Sequence, residues 1–127
     1  EVGQPSFAGQ LSPTWYEPDS GHRWMPRKAS VRLGAPRSKS EKIYLRGYCP
    51  PEQTAKGPVR IAVEANGTLL GVRPITKGGA EFEVDFEVPA QLIGKEALEV
   101  LLEVDRTFRT DGDERELGLV FGTVEIR

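Results

Sequence analysis

The sequence predicts an all-β protein, an antiparallel β-sandwich of seven to eight strands with a jelly-roll or immunoglobulin-like topology. Three observations predict it. Apolar and polar residues alternate with a period of two in one segment after another, the pattern of a strand with one face on a core and one in water. Fourteen glycines and ten prolines among 127 residues punctuate those segments, as tight turns between many short elements require. No segment carries a convincing helical period. With 38% hydrophobic residues, a chain of this length fits one core rather than two. The expected division is an irregular arm over residues 1–20 and a single sandwich over residues 21–127.

The arm carries Pro5, Pro13 and Pro18 with scattered Phe7, Leu11, Trp15 and Tyr16, and neither period survives there. From Trp24 the pattern changes. Ala29, Val31 and Leu33 alternate with Lys28, Ser30 and Arg32, a strand with one wet face. After a polar loop from Gly34 to Ser40, Ile43, Leu45 and Gly47 alternate with Lys42, Tyr44, Arg46 and Tyr48. Cys49, Pro50 and Pro51 end that strand, because proline brings no N–H to a ladder.

Asn66-Gly67 suits a two-residue type I′ hairpin, since both residue types tolerate positive φ. The register expected from that turn sets Ala65 against Thr68, Val63 against Leu70, Ile61 against Val72 and Val59 against Pro74. Asn66-Gly67-Thr68 is also a glycosylation sequon, and with no secretory signal visible the turn is the better reading. Gly78-Gly79 precedes a strand and reads as a turn. Phe82, Val84, Phe86 and Val88 alternate with Glu81, Glu83, Asp85 and Glu87 until Pro89. A short connection to Gly94, with one helical turn, leads to a strand of Leu98, Val100, Leu102 and Val104. In the last strand Leu117, Leu119 and Phe121 are in phase, whereas Val124 and Ile126 are out of it. A phase change at Gly122 implies a bulge or a strand buried on both faces.

The net charge is only −2, so attraction to nucleic acid or to an anionic membrane gains no support. No apolar stretch is long enough to span a bilayer. The charge is nonetheless segregated. Residues 21–46 hold eight Lys or Arg against Glu41, and residues 81–105 hold eight acids against Lys95. Complementary outer faces that meet across strands explain this, and a basic surface for an anionic ligand such as a sugar nucleotide is the competing explanation.

Catalytic chemistry is poorly served. Nucleophilic catalysis needs a base beside the nucleophile and a group to orient it, and His22 is the single histidine. One histidine and one cysteine, Cys49, make no zinc site, and no Gly-rich phosphate loop occurs. The carboxylates of Glu81 to Glu87 lie on a wet strand face, where nothing separates their pKa values as acid–base catalysis requires. The reading is therefore a protein that is not an enzyme, with no cofactor and no metal. The acid-rich loop Asp111 to Glu116, near Asp105, offers oxygen ligands of the kind calcium takes, but its spacing is not that of an EF-hand and Arg115 interrupts it.

The aromatic entry segment is the remaining lead. Trp15, Tyr16 and Trp24 lie close in sequence to Glu17, His22 and Arg23. Sugar rings stack on indole, and their hydroxyls bond to carboxylates and guanidinium groups. These six residues are the candidate ligand-binding set. Trp24, heading a strand, is expected in the core, and Trp15, outside any strand, is expected to stay partly exposed.

With these residues in view, the chain resembles the β-sandwich accessory domains attached to bacterial glycosyltransferases and sugar methyltransferases of surface-polysaccharide synthesis. The resemblance rests on Trp15-Tyr16-Glu17 and on Gly21-His22-Arg23-Trp24, where His22 stands in place of the more usual aromatic. It continues through Pro58 to Gly71, Phe86-Glu87-Val88-Pro89 and Arg115-Glu116-Leu117-Gly118. It implies a non-catalytic, carbohydrate-binding-like module beside a catalytic domain in the same chain, with a glycan or sugar nucleotide as partner. The setting it implies is cytoplasmic, as does the single cysteine. It also agrees with an N-terminus that lacks a starting methionine and a signal pattern, read as a piece of a longer or processed polypeptide. A protein-interaction or spacer domain that positions or dimerises the parent enzyme is the alternative, and it predicts an apolar patch or an unpaired edge strand.

Overall fold

Among the described residues the alternating segments become eight strands in two four-stranded antiparallel sheets: β1 (Arg23–Trp24), β2 (Lys28–Leu33), β3 (Lys42–Cys49), β4 (Val59–Ala65), β5 (Thr68–Ile75), β6 (Ala80–Glu87), β7 (Leu98–Val104) and β8 (Val120–Ile126). The computed structural model describes residues 15–16, 23–34, 38, 41–55, 57–95, 97–109 and 117–126. One sheet runs β1-β8-β3-β6 and the other β2-β7-β4-β5. Every connection except the β4–β5 hairpin crosses from one sheet to the other. An immunoglobulin sandwich keeps several hairpins within a sheet. The order seen here is that of the eight-stranded jelly roll.

The topology has a simple origin. β4 pairs β5, β3 pairs β6, β2 pairs β7 and β1 pairs β8. The chain is thus one long antiparallel ribbon folded about Asn66-Gly67 and rolled into two layers. Asn66 and Gly67 have φ of 49° and 85°, the paired positive values of a type I′ turn. The core between the layers takes the inward set of each strand, including Val31, Leu45, Ile61, Val100, Phe86 and Phe121, all buried. Phe82 packs edge-on against Phe121, with ring centroids 5.6 Å apart. Short 3₁₀ turns at Pro51–Thr54 and Ala90–Leu92 carry the crossings after β3 and β6.

Beyond the tip, the hairpin register departs from expectation. Ala65 meets Thr68 and Glu64 meets Leu69, but Val63 then meets Gly71, Ile61 meets Arg73 and Val59 meets Ile75. Leu70 is the extra residue of a bulge. A one-residue shift exchanges the two faces of a strand, so Ile75 turns into the core and Val72 turns out, 44% exposed. The physical reason lies at Gly71, where a Cβ would stand 2.9 Å from the Arg73 guanidinium and 3.4 Å from the Phe86 ring. The bulge brings the one residue without a side chain over Phe86. Arg73 then covers that ring, its Cζ 4.7 Å from the centroid, a cation–π contact at the open seam of the sandwich.

The expected bulge at Gly122 is present. Arg46 pairs Thr123, whereas its neighbour Gly47 pairs Phe121, so Gly122 is skipped. Phe121 and Val124 both stay in the core, and Thr123 and Glu125 stay on the opposite face. Gly47 sits against this irregularity, where a side chain would collide with the Val120 carbonyl and the Phe82 ring.

Candidate functional site

The outer face of the β1-β8-β3-β6 sheet follows from its registers. Trp24 pairs Val120, Val120 pairs Tyr48 and Tyr48 pairs Glu81, so these four residues form one row across the sheet and share a face. The adjoining row, Arg23, Phe121, Gly47 and Phe82, faces inward, with Arg23 and Phe121 buried. Trp24 is half-buried and Tyr48 is 38% exposed. Two strand spacings place their backbones about 10 Å apart.

Of the six residues singled out in the sequence, the described structure brings Trp15, Tyr16, Arg23 and Trp24 together. Trp15 is buried, 7% exposed, which corrects the expectation of partial exposure. Its Nε1 donates to the Ser30 carbonyl at 2.8 Å, and its ring packs edge-on against Phe121 at 5.7 Å. It therefore bolts edge strand β2 of one sheet to β8 of the other. Trp24 is the more open indole, again the reverse of expectation, because the parity of β1 gives the inward place to Arg23. Arg23 is 6% exposed, and its Nη1 donates to the Tyr16 carbonyl at 2.9 Å. The Tyr16 amide in turn donates to the Trp24 carbonyl at 3.3 Å. Arg23 thus holds Tyr16 in place beside Trp24. Glu17 and His22 lie outside the described residues.

Two features had not been picked out. Phe108, in the β7–β8 connection, packs its ring against Trp24 with centroids 6.0 Å apart at 66°. It is fixed there by a two-residue bridge to Leu117, with N···O distances of 2.9 and 2.8 Å. The second feature is the wet row of β3. Tyr44 and Arg46, with Glu83 of β6 and Thr123 and Glu125 of β8, line a recess of about 90 Å³. Their alternation was visible in the sequence, but not which strands would flank them.

The segregated charge meets across the strands. Lys28 lies opposite Glu103 and Arg32 opposite Glu99 in one sheet; Lys42 lies opposite Glu87 and Arg46 opposite Glu83 in the other. Asp105 is held by β4: the Arg60 amide donates to its Oδ1 at 2.8 Å, and the Arg60 guanidinium lies 3.8 Å from its Oδ2. Among the described residues no group of three or more His, Cys, Asp or Glu is placed to hold a metal. The loop Asp111 to Glu116 lies outside them. No helix among the described residues is long and apolar enough to cross a membrane.

The sequence matches no protein-family model and no curated protein. Its fold is similar to that of a family 35 carbohydrate-binding module from an environmental isolate, with a TM-score of 0.51 and 12% identity over 92% of this chain and 87% of that one. It is also similar to part of a family GH115 4-O-methyl-α-glucuronidase with specificity for decorated arabinogalactans, with a TM-score of 0.54 and 12% identity. That match covers 84% of this chain and spans only 14% of the glucuronidase. At these identities the likeness is one of fold, a jelly roll of module size.

Proposed function

We propose that this domain is a non-catalytic, carbohydrate-binding-like accessory module of a larger bacterial glycan-synthesis enzyme, working beside its catalytic domain on the cytoplasmic side. The observation that carries the reading is the half-open Trp24, backed edge-on by Phe108 and aligned across the sheet with the exposed Tyr48. A sugar ring stacks its C–H face on such an indole. Tyr16, bonded through its amide to the Trp24 carbonyl, adds a second aromatic group beside it, and Arg23 acts by positioning Tyr16; Glu17 and His22 belong to the proposed set by their nearness to Trp24 in the sequence. The fold likeness to a carbohydrate-binding module over most of both chains supports the same reading.

An amide-resolved NMR titration with oligosaccharides and nucleotide sugars tests it. Saturable shifts of the Trp24 indole N–H are expected, with a smaller response at Trp15, whose N–H is already bonded. Silence across the panel would leave the second reading, a protein-interaction or spacer domain. That reading is favoured by β5, an edge strand on which Leu69 is 57% and Val72 44% exposed.

A further inference from the structure

We infer that the glycan site extends beyond Trp24 along the wet row of β3, and that it is built for an extended, uncharged oligosaccharide. This rests on the glycan-binding reading above and adds a second subsite and a ligand class to it. Tyr48 shares a row with Trp24, and Arg46 and Tyr44 follow it on the same face of the same strand. From Tyr48 to Tyr44 is roughly 13 Å of strand, too long for one ring and suited to a chain. Half-buried Tyr44 forms a wall of the recess at the far end. Exposed Arg46 stands between the two tyrosines, with Glu83 opposite on β6 and Thr123 opposite on β8. The skip at Gly122 is what turns Thr123 and Glu125 toward this face.

The charges select the ligand. Glu81, Glu83, Asp85 and Glu87 of β6 and Glu125 of β8 flank the β3 row, against Lys42 and Arg46 within it. A uronate, sulfate or phosphate brought to this face meets an excess of carboxylates. It also offers acceptors alone, which the carboxylates cannot satisfy. A hydroxyl is both donor and acceptor. It can donate to a carboxylate oxygen of Glu83 or Glu125 and accept from Arg46, so an uncharged polyol chain matches both kinds of polar group lining the recess. A cationic chain meets Arg46 at the centre of the row, and the chitosan arm of the test decides whether that charge outweighs the flanking carboxylates.

The test titrates the 127-residue chain with neutral hexasaccharides of glucose, xylose and mannose, their disaccharides, hexagalacturonate and a chitosan hexamer. Expected are saturable amide shifts at both Trp24–Tyr48 and Tyr44–Arg46–Thr123 with a neutral hexasaccharide. Its affinity should exceed that of the disaccharide and change little with salt. Tyr44→Ala is expected to weaken the hexasaccharide about tenfold, the worth of one aromatic contact, and to leave the disaccharide unchanged. Arg46→Gln, on the exposed face, gives the same contrast should Tyr44→Ala compromise folding. Shifts confined to Trp24 and its neighbours would overturn the extended subsite and leave the module reading standing. Tighter binding of hexagalacturonate or chitosan would overturn the ligand class. Absence of shifts with every probe would overturn both.

Discussion

The two tryptophans show how far one residue's role depends on its partner rather than its type. Trp15 has its N–H on the Ser30 carbonyl and its ring on Phe121, whereas Trp24 keeps part of its ring open. Trp15→Ala is expected to cost about 3–5 kcal/mol, the range for emptying a large aromatic from a core. Trp24→Ala should cost clearly less and remove the sugar response instead. Urea unfolding of both variants, read beside the glycan titration, checks this, and a glycan defect without a stability defect in Trp15→Ala would reverse the assignment. Cys49 offers a second contrast. Burial pushes its thiol above the ordinary value of 9.0, since a thiolate would be desolvated there. The folded chain therefore keeps the proton after the unfolded chain has lost it, and stability should fall as pH rises through 9.0 and beyond. Cys49→Ser should flatten that alkaline fall, and alkylation of the native thiol should proceed only as fast as the domain opens.

At the scale of the element, the strands were legible because a half-buried strand writes its period into the sequence. The ends were legible too: Cys49-Pro50 and Pro89 close β3 and β6 as proline chemistry requires. Pairing beyond the nearest turn was not. The Leu70 bulge answers to the bulk of Arg73 and of Phe86, the latter on β6 and outside the hairpin, so alternation alone misplaced the register by one. For the same reason the face formed by Trp24, Tyr48, Arg46 and Tyr44 could not be assembled: its members come from β1 and β3, which are joined through β8. The Gly122 bulge, by contrast, announced itself as a broken phase. Deleting Gly122 removes the extra residue, and strict alternation then keeps Phe121 and Val124 inward and Glu125 outward. The deletion is therefore expected to cost much less than about 3 kcal/mol, the scale of a buried unpaired charge. A melting temperature lowered as far as such a charge would lower it would mean that β8 depends on the bulge itself.

For the whole molecule, the charge segregation and the jelly roll are one fact. The basic arm of the ribbon, β1 to β3, is laid against the acidic arm, β6 and β7, by a fold about Asn66-Gly67. That fold sets Lys28 opposite Glu103 and Lys42 opposite Glu87. Each exposed pair contributes little, since water and salt screen it. Their joint effect is on alternatives: like charges set opposite each other are unfavourable, so a ribbon folded about another turn would lose the match along its whole length. Lys28→Glu, which places two carboxylates across β2 and β7, is expected to cost about 0.2–1 kcal/mol relative to a neutral residue there. Glu103→Lys in the same chain should restore most of the loss, because only the order of the pair has changed. The cycle is read by urea unfolding at low and high salt, and the coupling should shrink as salt rises. Additive costs, with no recovery in the double variant, would mean that the facing charges are solvated independently and that packing alone specifies the pairing of the two arms.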